Sequence, residues 1–144
     1  MNNTFILDIV TPERKAFSEE VEAITVPTLN GQIGVLPAHM PLFTALSEGE
    51  VKISGNKKEY FLAIGGGFME VTGSRVTILV TRAVHADELN EAEIKKAQSE
   101  AKEAIGRKLT SEELANAQAV LRRSIVEMNL LRRHRRKSTP LPSH

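Results

Sequence analysis

The sequence has no cysteine and no tryptophan, and only one tyrosine and five phenylalanines among 144 residues. Without cysteine there is no disulfide and no thiolate metal site, which is compatible with a reducing compartment. No apolar run approaches the roughly 20 residues that a membrane-spanning helix needs. The opening stretch "MNNTFILDIVTPERK" lacks the basic head and long apolar core of a secretion signal, so the chain is expected to stay in the compartment where it is made. There is no G-x-S-x-G elbow, and His39, His85, His134 and His144 show no ligand spacing such as i, i+4. The expectation is therefore no catalytic residue, no cofactor and no metal. What is present is ordinary for a soluble globular protein: 41% hydrophobic and 26% charged residues, in a length that suits one or two small domains.

The first 86 residues read as strands. "FILDIVT", "VEAITVPTL", "IGVLP", "EVKIS", "EYFLAIG", "GFMEVT" and "RVTILVT" are short and rich in β-branched residues, with turn formers between them. This is the texture of an all-β sandwich or barrel, and no helical period suggests parallel βαβ units. In "EVKISG", Val51 and Ile53 point one way while Glu50, Lys52 and Ser54 point the other. In "RVTILV", Val76, Ile78 and Val80 alternate with Thr77 and Leu79, so this strand is expected to be covered on both faces. The glycines of "AIGGGFMEV" lead into a strand, so no helix dipole is available for a phosphate loop. They predict a tight hairpin or bulge between paired strands.

From Asp87 to the arginine-rich end there is one glycine, no proline and no aromatic residue. Ala97, Ala101, Ala104 and Ile105 form one apolar stripe, which Gly106 interrupts. Thr110 with Glu113 is a capping-box pattern that predicts a second helix from about Ser111. Its stripe is expected to be Leu114, Ala117, Leu121, Ile125, Met128 and Leu131. Asp87 and Glu88 at the start of the first helix, and arginines at the end of the second, suit the helix dipoles. A helix over 111–136 would be about 39 Å long at 1.5 Å per residue. Ala-faced helices bury little apolar area per contact, so the hairpin is expected to be weakly held. The tail "KSTPLPSH" is expected to be disordered.

Charge is uneven along the chain. Residues 1–86 carry 7 Lys/Arg against 9 Asp/Glu, residues 87–121 carry 5 against 8, and residues 122–144 carry 7 against 1. Such a basic end suits nucleic acid through counterion release, or an acidic protein surface through arginine forks. With no aromatic residue for stacking and no DNA-binding module, the acidic protein surface is the better reading. In "GQIGVLPAHMPLFTAL", His39 could be a general base, a metal ligand or an interface residue. Pro37 and Pro41 stiffen the backbone around it, and the motif supplies no acid or hydroxyl partner, which favours an interface.

The succession "LDIVTPE", "GQIGVLPAHMPL", "AIGGGFMEV", "VTILVTRA" and "DELNEAE" resembles the epsilon subunit family of bacterial F-type ATP synthase, which matches the mitochondrial delta subunit. The likeness covers about residues 4–135. It implies an α+β chain: an N-terminal antiparallel β-sandwich (1–86), a C-terminal antiparallel two-helix hairpin (87–136) and the tail (137–144). It also implies a non-catalytic rotor subunit of the central stalk, at the cytoplasmic face of the bacterial membrane and touching the membrane only through the complex. The implied partners are the gamma subunit and the c ring for the sandwich, and the alpha and beta subunits for the last helix. Nucleic acid is not among them. Carried over by position, Asn30, Gly31, Gln32, His39 and Met40 belong to loops facing the c ring and gamma. Arg122, Arg123, Arg132, Arg133, Arg135 and Arg136 match the region that approaches an acidic stretch of beta. The mobile hairpin would restrain ATP hydrolysis. Some relatives bind ATP at the hairpin through Leu or Ile, Asp, two variable residues and Arg-Ala. Here Leu89-Asn90-Glu91-Ala92-Glu93-Ile94 replaces the acid by Asn90 and the arginine by Glu93, so weak or no ATP binding is expected.

Overall fold

The computed structural model describes residues 3–138, with side chains as far as Arg135. The chain divides into two units, with the boundary between His85 and Ala86. The first unit has ten strands: β1 (Phe5–Val10), β2 (Lys15–Val21), β3 (Ala23–Thr28), β4 (Gly31–Val35), β5 (Leu42–Leu46), β6 (Gly49–Gly55), β7 (Lys58–Ile64), β8 (Gly67–Thr72), β9 (Arg75–Val80) and β10 (Ala83–His85). One sheet has the order β2-β1-β9-β8-β5 and the other β10-β7-β6-β3-β4. Alternation along the strands sends Leu7, Ile9, Ile24, Ile53, Leu62, Met69 and Ile78 into a buried core between the two sheets.

The sandwich is antiparallel, as expected, except that β1 runs parallel to β9 with Leu7 opposite Val76 and Ile9 opposite Ile78. Nearly the whole unit lies between these strands in sequence, so the pair needs no dedicated crossover. Strands β2, β5 and β10 have no counterpart among the sequence expectations. All three are edge strands. In "KAFSEEV" only Phe17 and Val21 are buried, and the charges that hide this strand from a hydrophobicity pattern protect its edge from stray pairing.

Two expectations are corrected here. Leu79 is 53% exposed, so β9 is covered on one face only. The glycines of "AIGGGFMEV" do not join paired strands: β7 lies in one sheet and β8 in the other, and Gly65-Gly66 carries the chain between them. The Thr81-Arg82 link from β9 to β10 crosses alongside. Gly65 N donates to the Arg82 carbonyl at 2.9 Å and Thr81 N donates to the Gly66 carbonyl at 3.1 Å. A Cβ on Gly67 would overlap the Leu79 carbonyl oxygen and one on Gly65 the Thr81 hydroxyl, so these two glycines mark a close approach and not a hairpin.

On the outer face of β1, Asp8 is a buried carboxylate with three partners. The Ser18 hydroxyl donates to it at 2.6 Å, Arg75 donates from β9, and Lys15 Nζ lies at 3.9 Å. The Ser18 hydrogen bond, with Lys15 and Arg75 beside it, holds the Asp8 carboxyl below its ordinary range despite burial. Its stabilisation is therefore present above the unfolded value of about 3.9 and is lost as pH falls through the lower folded value. Asp8→Asn is expected to lower stability by roughly 1–2 kcal/mol at neutral pH, with the difference from wild type shrinking below about pH 4. Denaturant midpoints measured across pH check this; a gap that is constant with pH would contradict it.

The second unit opens with a 3₁₀ turn, Ala86–Glu88, followed by helices α1 (Glu91–Ile105) and α2 (Ser111–Ser138). Asp87 and Glu88 thus precede the first helix, contrary to expectation. Helix α1 starts later because the Asn90 side-chain oxygen caps it, accepting from Ala92 N at 2.9 Å and Glu93 N at 3.3 Å. Thr110 Oγ1 accepts from Glu113 N at 3.2 Å, and α2 begins at Ser111. With 28 residues, α2 is about 42 Å long. It extends beyond residue 136 into the stretch expected to be a tail; 139–144 lie outside the described residues.

The inward stripe of α2 departs from the expected one at a single position. Leu114, Ala117, Leu121, Ser124, Met128 and Leu131 are covered to differing degrees, while Ile125 is 46% exposed. The spacing of 3, 4, 3, 4, 3 follows the seam of two packed helices, which keeps a 3.5-residue period, and Ile125 falls one residue to the side. Ser124 answers its own polarity by donating to the Leu121 carbonyl at 2.7 Å. A small apolar cluster of Ile94, Met128 and Leu131, with Leu89 packed on it, holds α1 to α2. Among the described residues, no helix is long and apolar enough to cross a membrane.

Candidate functional site

Asn30, Gly31 and Gln32 sit at the β3–β4 turn. Thr28 Oγ1 donates to the Gly31 carbonyl at 2.5 Å and accepts from Asn30 N at 3.2 Å, which closes the turn. Gly31 has φ +109°, a region that disfavours a side chain, and Leu29 beside it is 82% exposed. His39 and Met40 lie in the 36–41 connection between β4 and β5. Ala38 there has φ +63°, and His39 Nδ1 lies 2.7 Å from the Met40 carbonyl. A carbonyl only accepts, so Nδ1 is the donor in this contact.

The structure does not bring these two groups together. Gly31 pairs with Thr28 at one end of β4, whereas Val35, just before the 36–41 connection, pairs with Ile24 at the other. The ends are about 13 Å apart at roughly 3.3 Å per residue. Among the described residues no cluster of three or more His, Asp or Glu could hold a metal.

The basic positions of α2 separate too. Arg122 and Arg132 are exposed on one stripe with Gln118, Ile125 and Asn129. Arg123 is half-buried, and Arg133 is exposed one position round the helix from Arg132. Arg135 turns toward α1, where its guanidinium donates to Glu91 Oε2 at 2.7 Å. The Arg136 side chain lies outside the described residues.

A surface that the sequence did not disclose lies on the outer face of the β2-β1-β9-β8-β5 sheet. Phe43, Phe68 and Leu79 are 66%, 50% and 53% exposed. Phe68 stands opposite Leu79 on β9 and Ala45 on β5. The Phe43 and Phe68 rings stack with centroids 5.6 Å apart at 18°. A shallow groove lined by Val10, Thr11, Pro12, Phe68 and Leu79 continues the patch toward the glycine crossover. Two of only five phenylalanines thus face solvent and each other, the mark of a surface built for a partner. The available signal was parity: Phe68 and Leu79 alternate with the core residues Met69 and Ile78, so they must face outward. Only the pairing of β8 with β9 and β5, which sets these residues side by side, turns this into a site.

Residues 4–86 match the family "ATP synthase, Delta/Epsilon chain, beta-sandwich domain". The chain is 43% identical over 131 residues to the ATP synthase epsilon chain of Herpetosiphon aurantiacus, covering 90% of this chain and 96% of that one. It is 44% identical over 131 residues to the ATP synthase epsilon chain of Chloroflexus aggregans, covering 91% and 94%. Its fold is similar to a chain in the Euglena gracilis mitochondrial ATP synthase OSCP/F1/c-ring structure, with TM-score 0.66, 22% identity and coverage of 96% and 84%. A chain of the Tetrahymena thermophila mitochondrial ATP synthase central stalk and c ring matches with TM-score 0.61 and 16% identity over 88% and 96%.

Proposed function

The chain belongs to the ATP synthase epsilon family, a non-catalytic subunit of that enzyme, and from that premise we propose that it is a rotor subunit of the central stalk. The sandwich would dock on the gamma subunit and the c ring, and the mobile hairpin would restrain ATP hydrolysis by laying its basic helix against acidic surfaces of the beta subunit, beside alpha. Attachment at the cytoplasmic face of a bacterial membrane would then be peripheral, through the complex.

The observation that carries the docking half is the solvent-facing Phe43–Phe68 stack beside Leu79. A sheet face with this much apolar surface is stable in an assembly and a liability outside one. The hairpin half is supported by the small α1–α2 cluster and by the exposed Arg122–Ile125–Arg132 stripe, an apolar residue flanked by cations that suits an acidic protein surface. The acidic Glu91 and Glu93 in the first turn after the capping Asn90 support weak or absent ATP binding at the hairpin. Isothermal titration giving micromolar ATP affinity would overturn that part.

The test is removal of everything after Ala86 from the reconstituted complex. The shortened chain is expected to bind gamma and sustain coupling. ATP hydrolysis is expected to rise at least about five-fold, the low end of coupling between sites. Unchanged hydrolysis would sink the inhibitory role.

A further inference from the structure

The proposed function needs a hairpin that closes and opens, and the second unit carries ion pairs where opening must begin. Helices α1 and α2 are antiparallel, joined by residues 106–110, so the start of α1 and the end of α2 form the mouth of the hairpin. At this mouth Asp87 Oδ1 meets His134 Nε2 at 2.8 Å. Glu91 Oε2 accepts from Arg135 at 2.7 Å, and Glu91 Oε1 pairs with Lys95 at 3.0 Å. Helix dipoles reinforce the arrangement, since acids sit at the start of α1 and cations at the end of α2.

We propose that the acidic segment Asp87–Glu91 is an internal competitor for the basic end of α2, a clasp that holds the hairpin shut and that His134 makes dependent on protons. The inference deepens the reading above and rests on it for its purpose: an acidic partner surface that binds Arg135 must first displace Glu91. Partner binding and hairpin opening are then one exchange of carboxylates, and the clasp sets its threshold.

The proton dependence follows from the charges present. An imidazole ordinarily changes charge between about pH 5 and 8, whereas a carboxylate is ionised throughout that range. Among the described residues, the charged groups of the elements at this mouth include Asp87 and Glu88 on the 3₁₀ turn, Glu91, Glu93 and Lys95 on α1, and Glu127, Arg132, Arg133 and Arg135 on α2 itself. Protonated His134 gives Asp87 an ion pair; neutral His134 gives it only an ordinary hydrogen bond. Closure is therefore stronger with a protonated His134 than with a neutral one. The geometry sets the scale as well as the sign. His134 is about one-third exposed and Asp87 largely so, and the pair works on a seam with only a small apolar cluster, so a modest ionic term moves the balance.

The test uses the full chain, whose lack of cysteine allows spin labels at Lys96→Cys and Asn129→Cys, both exposed. Pulsed electron resonance then reads the ratio of closed to open hairpins. From about pH 5.5 to about pH 8 the ratio is expected to fall about two- to five-fold, the range of one exposed ion pair. His134→Gln should abolish this pH response. Arg135→Glu should open the hairpin at both pH values, and Glu91→Arg added to it should restore closure, which a merely misfolded variant would not do. A pH response equal in wild type and His134→Gln, or no restoration by the charge swap, overturns the clasp. Hydrolysis by the complex with the chain cut after Ala86 reads the inhibitory role separately, so the two ideas can fail independently.

Discussion

Gly67→Ala is expected to cost about 3–5 kcal/mol, a large share of the 5–15 kcal/mol that holds a domain of this kind together. A Cβ on Gly67 would overlap the Leu79 carbonyl oxygen and stand 2.7 Å from the Val80 Cα. Both belong to the backbone of β9, which cannot retreat because β8 and β1 pair with it on either side. The neighbouring glycines provide an internal scale. A Cβ on Gly65 would overlap the Thr81 hydroxyl, a small side chain that can rotate away, and one on Gly66 would meet the Leu46 carbonyl at an ordinary 3.6 Å. The expected order of destabilisation is thus Gly67→Ala, then Gly65→Ala, then Gly66→Ala. Denaturant unfolding of the three variants checks it. A Gly67→Ala protein within 1 kcal/mol of wild type would show that the crossover is not as tight as its geometry.

Phe68→Glu is expected to cost about 1–2 kcal/mol of stability, through the lost Phe43 stack and the half-buried ring, and to weaken binding to gamma by about 100-fold or more. The substitution puts a carboxylate at the centre of the Phe43–Phe68–Leu79 patch, where a partner would have to desolvate it. Phe43→Glu is expected to weaken binding less, because Phe43 sits on the edge strand β5 and its carboxylate has a shorter path to water. Calorimetric titration of gamma with each folded variant measures both effects. Wild-type affinity for Phe68→Glu would remove this face from the interface and leave the turn at Asn30–Gln32 or the 36–41 connection as the docking surface.

Features made by neighbours in sequence were legible from sequence. Thr110 and Glu113 announced the start of α2 through a hydrogen bond three residues long. The alternation of "EVKISG" gave the buried and exposed faces of β6 correctly. Features made by partners far apart were not. Nothing local says that Glu91 will be held by Arg135, 44 residues on, or that Ser124 and not Ile125 will lie on the seam. Strand β2 carries too many charges to resemble a strand, and its role is visible only once β1 is beside it.

By itself, then, the sequence determined the two textures of this protein, an alternating β unit followed by an alanine- and charge-rich helical pair, together with the caps and turns that bound them. These depend on periods of two and of about three and a half residues, which any short window displays. The tertiary structure alone decided the sheet order, the crossover at Gly65–Gly67 and the fate of outward-facing apolar residues. Alternation says that Phe43, Phe68 and Leu79 point away from the core. Only the order β9-β8-β5 sets them side by side as one apolar patch, because a surface is a property of which strands become neighbours.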